Sequence, residues 1–284
     1  MYEEAKRAFV KAVDSLCGKH SRWEIWKDMI WVIAVSISNA VDVKHREKRE
    51  KQFLDIAKNY SKAEMDTFSQ LYAQLVNGFE NYGHRDFLGD LFMELGLGNA
   101  SGGQFFTPYS VCKAMASISI PGVKEKIDEQ GYISINDPAC GAGATLIAVA
   151  DIMYNEQHIN YQTCAMFTGQ DIDYTTGLMC YIQLSLLGCA GYVHIGNTLT
   201  HPMTGHVLFG DGGEETWYTP MYFSPIWEMR RQAVMIRQLF GRIEQPTPDN
   251  VPEPQETAEP NPTIIEVSGK QAKRKPKGQL MFEI

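Results

Sequence analysis

The segment Asn136-Asp137-Pro138-Ala139-Cys140-Gly141-Ala142-Gly143 constrains this chain more than any other. It follows a short β-rich run at 132–136 and opens a helical stretch from Gly143 to about residue 155. A strand that ends in an acid and turns through two glycines into a helix predicts an open α/β sheet. Such sheets bind ligands beyond the carboxyl ends of their strands. Gly141 and Gly143 let backbone approach a ligand without a Cβ in the way, and the early acid suits a ligand with a cationic amine. Two other readings fit the same residues. One is an ordinary tight strand-to-helix turn. The other is a nicotinamide-dinucleotide turn, which wants G-x-G-x-x-G, but Leu146 stands where its third glycine belongs.

The flanking sequence continues the pattern. Residues 163–168 read as a second strand, 175–187 as a helix and 192–195 as a third short strand. This βαβαβ order implies a parallel sheet with right-handed crossovers. Thr107 predicts an N-cap with Pro108 in the first helical position. Residues 206–209 read as a further strand, ended by Gly210-Asp211-Gly212-Gly213. Residues 225–240 read as a helix with Met229, Ala233, Ile236 and Leu239 on one side.

Residues 1–98 read as an all-helical domain. Trp23, Trp26, Ile30 and Ile33 recur at helical spacing, and Ser61-Lys62-Ala63-Glu64 forms a capping box ahead of the stripe Phe68, Leu71, Leu75, Phe79. The run KHREKREK at 44–51 reads as a solvated helix face or as a phosphate-contacting patch. Gly96, Gly98, Gly102 and Gly103 mark a loop. Residues 99–243 then form the α/β domain, and 244–284 a disordered Pro-rich tail with a basic cluster at 270–277.

With 284 residues, 44% of them hydrophobic, the chain can bury a real core. The formal net charge of −8 argues against strong autonomous binding to a phosphate backbone, while leaving room for a locally basic face. The six cysteines form no C-x-x-C pair, so no metal site is expected. The N-terminal residues lack a signal pattern, and the longest apolar run, 29–35, is too short for a bilayer. These features read as a cytoplasmic protein with reduced thiols and no membrane contact.

Three further segments carry chemistry. Gly169-Gln170-Asp171-Ile172-Asp173 places an acid at the end of the second strand, where it can accept hydrogen bonds from a ribose diol. Asp173 reads as the cap of the next helix. Gly196-Asn197-Thr198-Leu199 follows the third strand, and Asn197 reads as an adenine contact or as a plain turn residue. Gly103-Gln104-Phe105-Phe106-Thr107-Pro108 sets two aromatics beside a helix start, which suits a pocket wall or a piece of core.

In this order the four segments resemble those of the N6-adenine DNA methyltransferases, above all the modification subunits of type I restriction systems. That family carries a Q-[FY]-[FY]-T-P segment ahead of a D-P-x-x-G-x-G strand end. The resemblance spans roughly residues 86–200. It implies a Rossmann-like methyltransferase core with a partial parallel sheet, preceded by an all-helical N-terminal domain. It implies S-adenosylmethionine (SAM) as cofactor, contacted by Gln104, Phe105, Phe106, Thr107, Pro108, Tyr109, Ala139, Cys140 and Gly141. Asp171 would hold the ribose, with Asp137 and Asn197 as further contributors.

The family's base-positioning motif, [ND]-P-P-[YFW], does not follow Asn197. The nearest match is Ser224-Pro225-Ile226-Trp227, similar to the S-P-P-[YW] of cytosine-N4 methyltransferases but with Ile226 for the second proline. Ser224, Pro225 and Trp227 are therefore weak catalytic candidates, against the reading of a loop entering the 225–240 helix. The stretch from Asn197 to the linker is too short for the family's remaining strands and helices. Two functions follow from the resemblance: a site-specific DNA adenine methyltransferase of restriction-modification type, acting on DNA and completed by a partner chain, or an inactive SAM-binding regulatory or assembly protein associated with DNA. A nicotinamide oxidoreductase is the third alternative. Finally, Gln279-Leu280-Met281-Phe282 loosely resembles the Q-L-x-L-F peptides that dock on a replication sliding clamp through residues such as Gln279, Leu280 and Phe282, one residue short in spacing. It equally reads as a frayed apolar end.

Overall fold

The computed structural model describes residues 2–98, 106–243 and 280–281. Five helices come first: α1 (Tyr2–Ser15), α2 (Arg22–Val41), α3 (Arg46–Ala57), α4 (Lys62–Tyr82) and α5 (Phe87–Glu94). Ser61 caps α4 through the expected box with Glu64. A second box, Ser21 with Glu24, opens α2. The α4 stripe Phe68, Leu71, Leu75 and Phe79 is buried, as are Trp26, Ile30 and Ile33 of α2. Trp23 is 39% exposed and only meets Phe92 edge-on.

The α/β part runs α6 (Tyr109–Ser119), α7 (Val123–Gln130), β1 (Ile133–Asp137), α8 (Ala144–Asp151), α9 (Tyr161–Cys164), β2 (Ala165–Asp171), α10 (Tyr174–Leu186), β3 (Ala190–Ile195), β4 (Thr216–Tyr218), α11 (Pro225–Ile243) and β5 (Leu280–Met281). The sheet order is β4-β3-β2-β1-β5. β1, β2, β3 and β5 are parallel, and β4 lies antiparallel on β3. The core is thus a Rossmann-like open α/β sheet with helices packed on it, entered through a helical N-terminal region.

Three local differences from the sequence reading have simple causes. Helix α6 starts at Tyr109, with Pro108 rather than Thr107 at the cap and no side-chain cap bond. Residues 206–209 close a turn, with the Phe209 amide donating to the His206 carbonyl at 3.0 Å. The additional strand is instead Thr216–Tyr218, three residues long. Of the clamp-like segment, Leu280 and Met281 pair with Ile135 and Asn136 of β1. Gln279 and Phe282 lie outside the described residues, as do Gln104 and Phe105. Docking on another protein would require Leu280 to leave the sheet.

Alternation along the strands builds two apolar layers. Ile133, Ile135, Ala165, Phe167, Val193 and Ile195 face a core that continues into α2, α4, α5, α8 and α10. Met166, Ala190, Tyr192, Tyr218, Tyr222 and Trp227 form the second layer. The helical region and the sheet therefore share one core. Trp31 of α2 packs against Trp217 of β4, their ring centroids 5.4 Å apart. Among the described residues, no helix is long and apolar enough to cross a membrane.

The charged run at 44–51 is part of this junction. Arg49 is only 3% exposed. Its guanidinium donates to Asp42 at 2.8 Å, to the Thr216 carbonyl at 3.0 Å and to the Ser38 hydroxyl, and lies 3.8 Å from the Trp217 ring centroid. Lys44 and Lys48 reach Gly212 and Glu214 from the surface. So three cations of the run hold the β3–β4 connection and β4, where the sequence suggested solvent or phosphate. Removing one partner of a buried ion pair leaves the other uncompensated, at a cost of roughly 3–5 kcal/mol, whereas an exposed pair contributes about 0–1 kcal/mol. Urea denaturation should therefore show Arg49→Met losing several kcal/mol while Lys48→Ala stays near wild type. Equal effects would mean that Arg49 is not the junction's anchor.

Candidate functional site

A cavity of about 430 Å³ opens at the carboxyl ends of β1 and β2. Its walls are Phe106 and Thr107 ahead of α6, Cys112 and Met115 on α6, the turn 139–142, and Asp137, Asp171, Thr145 and Thr176. This volume is in the range of small-molecule sites. The close packing of α6 on α8 brings the segment before α6 over the turn.

The turn follows from its glycines. Gly141 (φ 51°) and Gly143 (φ 96°) occupy the left-handed region that only glycine adopts at low cost. A Cβ on Gly141 would stand 3.3 Å from the Phe106 ring, and one on Gly143 would stand 2.8 Å from Cys180 Sγ. Four of the turn's amides are used internally. The N–H of Ala139 donates to Asp137 Oδ1 (3.0 Å), that of Cys140 to the Gln170 carbonyl (2.9 Å), that of Gly141 to Asp171 Oδ2 (2.8 Å), and that of Gly143 to the Cys140 carbonyl (2.7 Å).

Two carboxylates face this space. Asp171 accepts from Gly141 on one oxygen, and from the Asp173 amide (2.9 Å) and the Thr176 hydroxyl (3.1 Å) on the other. A carboxylate offers about four acceptor positions, so about one remains for a ligand hydroxyl. Binding both hydroxyls of a diol requires Thr176 to turn away. Asp137 is buried and accepts from Ala139 and from the Thr145 hydroxyl. Burial raises its carboxyl above the ordinary range, against those two hydrogen bonds. Among the described residues, no lysine, arginine or histidine lines the cavity. Cys140 also lines it. The Cys180 thiol beside it, together with burial, holds its own thiol protonated, and among the described residues no cluster could hold a metal.

Sequence reasoning missed the residue that holds the turn from behind. Gln183 of α10 is fully buried. Its Nε2 donates to the Ala142 carbonyl (2.8 Å) and to Asp86 Oδ1 (2.7 Å), and its Oε1 accepts the Leu88 amide (3.0 Å). Asp86 caps α5 through the Gly89 amide. The start of α5 is thereby tied to the cofactor-type turn. Thr145 and Thr176, which orient the two acids, were missed as well. Their signal was spacing alone: each follows its acid within one helical turn of a helix start.

The structure gathers Phe106, Thr107, Asp137, Ala139, Cys140, Gly141 and Asp171 at one cavity. Of the other described candidates it brings none there, and Gln104 and Phe105 lie outside the described residues. The Tyr109 hydroxyl lies 3.4 Å from Asp151, and Pro108 is exposed at the cap. Asn197 turns its side-chain oxygen onto the Leu199 amide at 2.9 Å, making its own turn. Trp227 is fully buried, and its Nε1 donates to the Gln162 carbonyl at 2.8 Å. Ser224 and Pro225 begin α11 beside it. Gln162 precedes β2, so this group sits at the opposite ends of the strands from Asp137 and Asp171.

A model of the N-6 DNA methylase family matches residues 84–227. The methylase subunit of the type I restriction enzyme MpnII from Mycoplasma pneumoniae is 33% identical over 86 residues, which is 30% of this chain and 14% of that protein. The alignment thus spans a small part of that relative. Among solved structures, a class I S-adenosylmethionine-dependent methyltransferase from Listeria monocytogenes is 16% identical with a TM-score of 0.42, covering 72% of this chain and 57% of that one. A type I restriction-modification methyltransferase subunit from Streptococcus thermophilus is 16% identical with a TM-score of 0.40, covering 72% and 60%.

Asp86 generates a pH prediction. Burial pushes its carboxyl up to about 6, against the hydrogen bonds from Gln183 and Gly89. A carboxyl raised on folding contributes stability that is full below its unfolded value near 3.8 and is lost as pH rises through about 6. Between about pH 5 and about pH 8, wild type should lose roughly 1.5 kcal/mol that Asp86→Asn does not lose. Urea midpoints at the two pH values measure the difference. Parallel pH slopes for the two proteins would refute it.

Proposed function

The chain belongs to the N-6 DNA methylase family, whose cofactor is S-adenosylmethionine, and we propose that the cavity at the ends of β1 and β2 is where this chain holds it. The observation that carries this reading is the cavity's charge. SAM presents a sulfonium and an ammonium, and among the described residues the wall offers two carboxylates and no basic side chain. A cation beside buried Asp137 would favour its ionised form. A dinucleotide would instead bring a pyrophosphate, which needs free backbone amides at the turn. Those of Ala139, Cys140, Gly141 and Gly143 already have partners. The nicotinamide alternative therefore loses these four donors.

In this reading Asp171 accepts a ribose hydroxyl, Asp137 faces the cationic end, and Phe106 closes the wall over Gly141. By the family resemblance Gln104 and Phe105 join that wall. Ile172 and Leu199, 70% and 92% exposed just beyond β2 and β3, offer apolar surface to the adenine ring. When bound, SAM supplies an electrophilic methyl group. The chain's own part is to bind and orient it and to keep the adjoining Cys140 thiol neutral.

The acceptor in this proposal is an adenine amine in DNA, with further subunits of a restriction-modification assembly taking part. Base positioning does not come from Ser224, Pro225 or Trp227, because Trp227 is core and lies at the far ends of the strands. That placement favours a cofactor-holding role for the described residues, with base positioning supplied elsewhere.

Calorimetric titration tests the cofactor step. Wild type should bind SAM and not NAD. Asp171→Ala should bind it about 10- to 150-fold more weakly, from the loss of charge-assisted hydrogen bonds of roughly 1.5–3 kcal/mol. An unchanged affinity in a folded variant removes Asp171 from the site, and no SAM binding by wild type removes the reading. Incubation with SAM and unmethylated DNA, followed by mass spectrometry of N6-methyladenine, tests the reaction. Methylation by this chain alone that survives Trp227→Ala would place base positioning in residues other than the near-match motif. Abolition of methylation by that substitution, in a folded variant with intact SAM affinity, would restore the motif.

A further inference from the structure

Strand β5 has no part in the cofactor reading. β1 lies between β2 and β5, and among the described residues Ile135 and Asn136 pair on its outer side with Leu280 and Met281. Without that cover β1 would be the sheet edge, although Ile133 and Ile135 are core residues, 7% and 2% exposed. An apolar edge with open backbone groups recruits other strands. Among the described residues the outer pairing reaches Asn136, directly before Asp137. The Asn136 side chain also accepts the Thr168 hydroxyl at 2.9 Å, so both sides of this residue are held. Beyond it comes the turn whose amides hold Asp137 and Asp171 in place. Residues 244–279 join α11 to β5, well beyond the dozen or so residues that a parallel crossover needs.

We propose that the outer edge of β1 is a docking site for an extended strand, that its occupant is this chain's own Leu280–Met281 segment, and that docking orders the turn after Asp137. A ladder of two residue pairs is weak on its own. The strand therefore leaves and returns while the rest stays folded, in the manner of a local opening. The pairing is through backbone, and a proline in either position would remove an N–H that a ladder can use. The inference concerns backbone order and stands apart from the identity of the cofactor, so its failure and that of the SAM reading are separable.

Hydrogen–deuterium exchange on the full chain tests it, with a Leu280→Pro/Met281→Pro double variant and a version ending at residue 278. In both variants the amides of 135–137 and 139–143 should exchange roughly tenfold faster or more, while α10 and β3 keep wild-type rates and so report an intact fold. Leu280→Val/Met281→Ile should retain protection. An excess of a peptide of residues 276–284 should restore it to the shortened chain. Unchanged exchange in both variants overturns the proposal. So does protection that grows with protein concentration, which would put a second copy's strand on the edge, or a loss of protection in β1 that leaves the turn untouched.

Discussion

A single buried amide connects the parts of this molecule that matter for its site. Gln183 donates to the Ala142 carbonyl and to Asp86, and accepts from Leu88. A buried amide left without partners costs a large share of a domain's net stability, so these bonds are mutually required. Gln183 therefore ties the start of α5 to the Ala142 carbonyl of the turn. The helical region is thus part of the site's support. Its other attachment, Arg49 on Thr216 and Trp217, fixes the far edge of the same sheet.

From this arrangement the cavity acquires its electrostatic sign. Glycine turns at strand ends usually offer free amides, and free amides attract anions. Here the amides bind the chain's own Asp137, Asp171, Gln170 and Cys140, so what faces the ligand is carboxylate. The same backbone shape therefore serves an opposite charge. Asp137 is buried, with no cationic neighbour among the described residues of the cavity wall, and burial raises its carboxyl. A ligand that brings positive charge relieves this cost.

Much of the scaffold was legible in sequence because it is periodic. The three parallel strands and their helices emerged from alternation and from the 3.6-residue spacing, and the two acids from their places at strand ends. What escaped is non-periodic. Thr216–Tyr218 is too short to show alternation, and it exists because Arg49 and β3 hold it. Arg49 reads as a surface cation among other cations, since nothing local says that Asp42 and Trp217 will surround it. Gln183 sits in an α10 whose faces are buried all round, where a polar residue carries no pattern of its own. Thr107 reads as a cap, yet its segment crosses the cavity and the helix begins behind Pro108. Each of these residues owes its role to a partner distant in sequence.

The Ser224-Pro225-Ile226-Trp227 segment shows why a short motif needs the polarity of the sheet before it is given chemistry. In a parallel sheet all strands point one way, so its two ends differ in kind. The carboxyl ends carry the turns into helices and collect ligands. The amino ends receive chain from the preceding helices and fill with side chains that close the core. Trp227 stands at the amino ends, bonded to Gln162 before β2 and packed edge-on to Tyr132 before β1. Arg230, one turn further along α11, stacks on Trp227 and donates to the Gly131 carbonyl at the same end. A base stacked on Trp227 would have to displace this packing and would still lie across the sheet from Asp137 and Asp171. Proline at the first turn of α11 and tryptophan in the core account for Pro225 and Trp227 by packing and helix geometry.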